Sequence, residues 1–248
     1  MYFLIILSAL VVINATEEAR VYNGNDLDPT EQGYLVLLHI LTEANVRIKC
    51  SGCIIASNWI LTTAHCLPTQ KRVKIIYVRQ YVHQVLRTLA QVKPNNTFPH
   101  SSYVQGDYTI ANTQYDIALL KTSKKIPFDE YAKSIELARA SPRNNQSAII
   151  AGYGLNDLGE SLARQGVVRV TKCPFTYSER LLCSNSTVKS GHGDSGGALA
   201  ANGKLIGVVA GSSVRNCGET DPETLCTTVY VNVASHYKWI DNVKRTHV

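Results

Sequence analysis

Between Gly33 and Leu120 no stretch keeps a helical period for more than two turns, which excludes a helical bundle for this part of the chain. After Ile13 no apolar run is long enough to cross a bilayer, so no membrane-spanning helix is expected in the mature protein. Basic residues are not concentrated either. The net charge of +6 is spread over 248 residues, and Lys71-Arg72 and Lys124-Lys125 read as solvated faces. A nucleic-acid partner is therefore not expected. Metal ligands are equally sparse: Cys50 and Cys53 have the spacing of half a zinc site, and no second pair completes it. No metal and no cofactor are expected.

What is present points elsewhere. Seven cysteines in a chain of this size suggest an oxidising compartment. Tyr2 to Ile13 is almost wholly apolar, ends in Asn14-Ala15 and is too short to span a membrane. It reads as a signal peptide cut after Ala15, although no basic residues precede it, so the product is expected to be soluble, secreted and extracellular. A hydrophobic content of 45% can fill one large core or two modest ones.

Short apolar runs alternate with turn residues along the chain. The runs Tyr34–Ile40, Cys53–Leu61, Val73–Tyr81, Val82–Val92 and Ile117–Leu120 come first. The pattern restarts at Ile135 with Ser147–Gly154, Val167–Thr171, Ala198–Leu199, Leu205–Ala210 and Thr227–Val233. An all-β fold is the economical reading. Pro94 to Thr113 is polar and reads as a surface loop. Ala234 to Val248 reads as a helix, with Tyr237, Ile240 and Val243 at spacings of three.

Three short stretches carry chemistry. Gly193-Asp194-Ser195-Gly196-Gly197 can hold a serine on a tight turn with converging backbone N–H groups, since glycine has no Cβ in the way. His65 closes the run Thr62-Thr63-Ala64, and Asp116 opens the run Ile117–Leu120. A hydroxyl becomes nucleophilic when a neutral imidazole takes its proton, and a carboxylate holds that imidazole. The plainer readings are a glycine turn before a buried strand, a packed histidine beside a cysteine, and an aspartate capping a strand.

In this order, and with these neighbours, the three stretches resemble those of the trypsin/chymotrypsin family of serine proteases, from about Val21 to the C-terminus. The resemblance implies two packed antiparallel six-stranded β-barrels with a C-terminal α-helix. It divides the chain into a signal peptide (1–15), an activation peptide (16–20), an N-terminal barrel with His65 and Asp116 (21–131), and a C-terminal barrel with Ser195 and the helix (132–248). It makes His65, Asp116 and Ser195 the catalytic triad, with the N–H groups of Gly193 and Ser195 as the oxyanion hole. Arg20 and Val21 would form a zymogen cleavage site, though Asn23 replaces the family's usual glycine, and the freed amino group of Val21 would pair with Asp194.

The same resemblance implies the bridges Cys50–Cys66, Cys173–Cys183 and Cys217–Cys226, leaving Cys53 as a buried free thiol. Gly191 stands where the family has another bridged cysteine. The specificity pocket would comprise Lys189, Ser190, Ser212 and Thr228, with Lys189 in place of the aspartate that makes trypsins cut after Arg or Lys. Lys189 would either select an acidic side chain or turn to Glu219, Asp221 or Glu223, so the expected preference is for acidic or small uncharged residues. Ala210 and Gly211 also depart from the family's serine and tryptophan. Sequons at Asn95, Asn145 and Asn185 permit N-glycosylation. The implied product is a secreted, monomeric serine endopeptidase. Its partners would be protein or peptide substrates, an activating trypsin-like protease and protein protease inhibitors. The altered pocket leaves an alternative: a catalytically weak or inactive protease-like binding protein.

Overall fold

The computed structural model describes residues 21–69, 72–154, 162–212 and 225–247. The expected signal peptide, Arg20, Cys217 and the carboxylates Glu219, Asp221 and Glu223 lie outside the described residues. The chain forms two curled antiparallel sheets and a C-terminal helix.

The first sheet uses β2 (Leu35–Thr42), β3 (Arg47–Ala56), β4 (Trp59–Thr62), β5 (Val73–Val82), β6 (Val85–Val92), β7 (Thr97–Pro99) and β8 (Ala118–Lys121), in the order β6-β5-β2-β3-β4-β8-β7. The second combines β1 (Asn25–Asp26) with β9 (Glu136–Leu137), β10 (Ser147–Gly152), β11 (Arg164–Arg169), β12 (Leu181–Ser186), β13 (Ala198–Ala201), β14 (Lys204–Ser212) and β15 (Cys226–Asn232). Its path is β1-β11-β10-β13-β14-β15-β12, with β9 added in parallel to β14. The sheets therefore count seven and eight strands instead of six each. The short strands β1, β7 and β9 make the difference by pairing at edges that apolar pattern does not mark.

In β5 the residues Val73, Ile76, Val78 and Gln80 are buried between more exposed neighbours, as a strand with one covered face requires. The run Cys53–Leu61 is a hairpin, not a single strand, because Ser57 and Asn58 turn the chain between β3 and β4. β5 and β6 turn through His83 and Gln84, which both take positive φ (47° and 65°). Two such residues in succession suit the tight right-twisted hairpin, although glycine or asparagine is usual there. The stretch 94–113 is more than a loop. It holds β7 and a single helical turn, α1 (Ile110–Thr113), whose N-cap Thr109 accepts from the Asn112 N–H.

A continuous apolar core spans both sheets. It includes Leu37, Ile54, Ile60 and Leu119 from the first and Tyr153, Leu205 and Val231 from the second. Each fully buried Leu or Ile contributes about 1.5–3 kcal/mol. The final helix, α2 (Val233–Thr246), begins where the Asn232 side chain accepts from Ala234 N–H, and Lys244 and Arg245 favour its C-terminal dipole. Its buried face is Val233, His236, Ile240 and Val243. Tyr237, expected on that face, is half-exposed and its place is taken by His236. Among the described residues no helix is long and apolar enough to cross a membrane.

Candidate active site

The pairing of β4 with β8 builds the first half of the site. Thr62 lies opposite Ala118 at the end of the antiparallel ladder. The chain therefore leaves β4 for His65 at the same end where Asp116 leads into β8. Asp116 is buried, and its carboxylate accepts twice from one residue: from the His65 backbone N–H at 2.8 Å and from the ring Nδ1 at 2.6 Å. A carboxylate can only accept, so the neutral ring carries its proton on Nδ1 and leaves Nε2 as a base. The disulfide Cys50–Cys66 anchors the residue after His65 to β3. Cys50, His65 and Cys66 lie close together, but the two sulfurs are bonded to each other and offer no thiolate to a metal.

Ser195 comes from the second sheet, in the turn before β13. Gly196 in this turn has φ +82°, and a Cβ there would collide with the Ser51 carbonyl and the Thr62 hydroxyl. Only glycine allows β3 to approach so closely. Ser51 ties the two halves together. Its N–H donates to the Ser195 carbonyl (2.8 Å) and its hydroxyl to the Gly193 carbonyl (2.9 Å), while it accepts from Tyr153 N–H (2.8 Å). The Ser195 carbonyl also lies 3.8 Å from Cys66 Sγ, which sets the half-buried serine beside the histidine loop. Among the described residues no hydrogen bond joins Ser195 Oγ to the imidazole, a contact that often tightens only with substrate. Within the turn, the N–H groups of Asp194, Gly196 and Gly197 donate to backbone carbonyls. Among the described residues those of Gly193 and Ser195 have no such acceptor. Two uncommitted donors flanking the serine can meet a developing oxyanion.

Asp194 is completely buried, and three N–H groups converge on it: Val21 at 3.0 Å, Gly191 at 2.8 Å and Gly154 at 2.9 Å. Burial raises its pKa above the usual carboxylate range, and these hydrogen bonds pull it back. The Val21 nitrogen thus sits on a carboxylate adjacent to Ser195.

The expected pocket residues divide into two groups. Ser190, Ser212 and Thr228 come together, with Ser190 Oγ 2.9 Å from Ser212 Oγ and Ser190 N–H donating to Thr228 Oγ1 at 3.3 Å. Lys189 is buried with its ammonium 5.1 Å from the centre of the Tyr22 ring, a cation–π contact toward the N-terminal segment. A cleft of about 510 Å³ runs from His65 and Asp116 to Ser212 of this group and is walled by Tyr103, Tyr108, Ile110 and Gly211. Three of these walls come from the stretch read as a surface loop. Cys173–Cys183 is bridged, Cys53 is free and buried, and Cys226 is disulfide-bonded, its expected partner Cys217 lying outside the described residues.

Ser51 and His236 carry structural roles that the motifs do not announce. Ser51 has a weak signal, a small residue between Cys50 and Gly52. His236 has none. Its Nε2 donates to the Gln114 carbonyl at 2.8 Å, so helix α2 holds the backbone two residues before Asp116. Its Nδ1 is buried without a partner, and the His100 and Tyr115 rings and the Arg180 guanidinium stand nearby. Burial above all pushes the His236 pKa down to about 4. The unfolded chain takes up this proton near pH 6.5, the folded chain only near 4. Stability is therefore full above pH 6.5 and falls as pH drops toward 4, by about 2–3 kcal/mol from this group. Denaturant midpoints measured across that window should fall with acid, and His236→Asn should flatten the slope. An unchanged slope would remove His236 as its source.

Two curled sheets that meet at such a cleft are the architecture of chymotrypsin-like serine endopeptidases. The chain belongs to the Trypsin family, which matches residues 21–240. It is 27% identical to Trypsin eta of Drosophila melanogaster, over 98% of this chain and 95% of that protein. With Proproteinase E of Bos taurus the identity is 28%, over 90% of this chain and 94% of the relative. The solved structure of neuropsin, a serine protease of mouse brain, superposes with a TM-score of 0.71 at 23% identity, covering 90% of this chain and 99% of that one. That last likeness concerns the fold alone.

Proposed function

We propose that the protein is a secreted endopeptidase, made as a zymogen and activated by cleavage after Arg20. The observation that carries the catalytic reading is the double hydrogen bond from His65 to buried Asp116, beside a serine whose turn keeps two N–H groups uncommitted. In this mechanism His65 Nε2 takes the Ser195 proton as Oγ attacks the scissile carbonyl, and Gly193 and Ser195 N–H groups receive the oxyanion. His65 then protonates the leaving amine, and water releases the acyl group by the same steps.

The position of Val21 at Asp194 supports activation by a trypsin-like protease. Cleavage would turn an amide N–H at that spot into an ammonium, giving a buried carboxylate a full counter-charge. The hydroxyls of Ser190, Ser212 and Thr228, with the Lys189 ammonium at Tyr22, support a preference for small uncharged side chains before the cut. Asn95, Asn145 and Asn185 are all exposed, as glycosylated asparagines must be. Protein substrates and protein inhibitors follow from the family; a monomeric state belongs to the same proposal.

One experiment tests the reading. A mixed peptide library is incubated with the protein cleaved after Arg20, with and without a fluorophosphonate. Products should end in small uncharged residues and disappear with the inhibitor. Dominant cleavage after Arg or Lys would overturn the pocket assignment. No cleavage by the correctly processed chain would favour a protease-like binding protein.

A further inference from the structure

The outer face of the first sheet holds a second concave site. Antiparallel register sets His39 of β2 between Lys49 of β3 and Tyr77 of β5, and sets Leu41 opposite Arg47. With Arg79, these residues line a cavity of about 660 Å³. Among the described residues, three cationic side chains and no carboxylate line it. Among the described residues, Arg47 and Arg79 form no ion pair.

The hydrogen bonding in this cavity is incomplete in one direction. Arg79 Nη1 lies 2.8 Å from His39 Nδ1, and a guanidinium can only donate. Nδ1 therefore accepts, and the ring proton sits on Nε2. Both His39 Nε2 and Arg79 Nε are buried donors without an acceptor. Burial, and then the charges of Arg79, Lys49 and Arg47, push the His39 pKa down to about 4. A site with surplus donors, surplus positive charge and a neutral histidine asks for an anion.

We propose that this cavity is an exosite for an acidic segment of the polypeptide substrate, with apolar residues between its carboxylates. Leu41 offers apolar surface beside the cations, and the Tyr77 ring holds the Arg79 guanidinium over its face (4.8 Å), which suits such a peptide better than a uniformly charged polysaccharide. The position fits the occupant. Lys49 is two residues from Ser51, whose N–H holds the Ser195 carbonyl, so the cavity begins about 7 Å along β3 from the residue that contacts the Ser195 loop. A chain lying in the cleft can continue onto it. The identity of the occupant as substrate rests on the endopeptidase reading; the anion site itself does not.

Binding is measured on the Ser195→Ala protein by fluorescence anisotropy of a labelled peptide in which Glu and Leu alternate. Saturable binding that weakens with salt is expected, reduced at least tenfold by Arg47→Glu and unchanged by Lys125→Glu, the same charge reversal on an exposed loop. Arg47 is exposed, and circular dichroism checks that its variant is folded. Arg79→Lys keeps the charge but loses the planar fork, and should weaken binding by a smaller factor. Equal binding by the Arg47→Glu protein, or retention of heparin with none of the peptide, would overturn the proposal. In the activated enzyme, free peptide should slow cleavage of a substrate carrying the Glu–Leu segment and leave the same substrate without it unaffected. Inhibition of both would place the peptide in the catalytic cleft instead. Because the binding assay lacks the nucleophile, an inactive wild-type chain would count against the endopeptidase reading and leave this one standing.

Discussion

Ser195→Ala is expected to lower peptide turnover by about 10⁶-fold, the loss found when the nucleophile is removed from the same three-group constellation elsewhere. The size follows from how the groups act. With no Oγ there is no acyl-enzyme, and the His65–Asp116 pair has no proton to move. What survives is attack by water assisted by the Gly193 and Ser195 N–H groups, worth about 10³–10⁴ over the uncatalysed rate. Because the backbone of residue 195 makes the contact to Ser51, the alanine variant should keep its fold and its melting temperature. Single-turnover kinetics on a neutral peptide measures the loss. Retention of a tenth of the activity would remove Ser195 from the mechanism.

Arg20→Gln should leave the chain uncleaved by a trypsin-like activator and about 10²–10⁴-fold less active than the processed protein. The estimate comes from the Asp194 pocket. Without processing, Val21 presents an amide N–H to Asp194; after processing it would present a charge. Leaving a buried carboxylate without a counter-charge costs about 3–5 kcal/mol, which tilts the 193–195 turn away from its catalytic shape by that factor. The check is N-terminal sequencing of the active species, expected to begin at Val21, together with the rate for the Arg20→Gln chain. Full activity in the unprocessed variant would separate the Val21–Asp194 contact from catalysis.

Much of the molecule was legible in the chain because the signals are local. Alternation along Val73–Tyr81 marks a strand through a period of two, which neighbouring residues alone determine. The Gly193–Gly197 turn was legible for the same reason: the backbone shape it needs restricts which residues can occupy it. Other elements left no such mark. Leu181–Ser186 is a strand of only six residues with no β-branched residue and no alternation, and it becomes a strand by pairing with β15. His83 and Gln84 do not advertise a hairpin turn; the flanking strands impose it.

The sequence by itself therefore determined an all-β chain, a helix at its end, and a histidine, an aspartate and a serine in settings suited to nucleophilic chemistry. Only the tertiary structure decided which groups meet. The Thr62–Ala118 register brings Asp116 to His65, and Ser51 reaches the Gly193–Gly197 turn across a sheet boundary. For Lys189 the sequence leaves two directions open, into the pocket or toward Glu219, Asp221 or Glu223; its ammonium lies 5.1 Å from the Tyr22 ring centre, and no local pattern contains that contact. His39, Lys49, Tyr77 and Arg79 share one cavity because three strands align in one register. Periodicity is set within a few residues along the chain, whereas register and side-chain direction are set by partners tens of residues away, so the elements could be read from the sequence and the contacts between them could not.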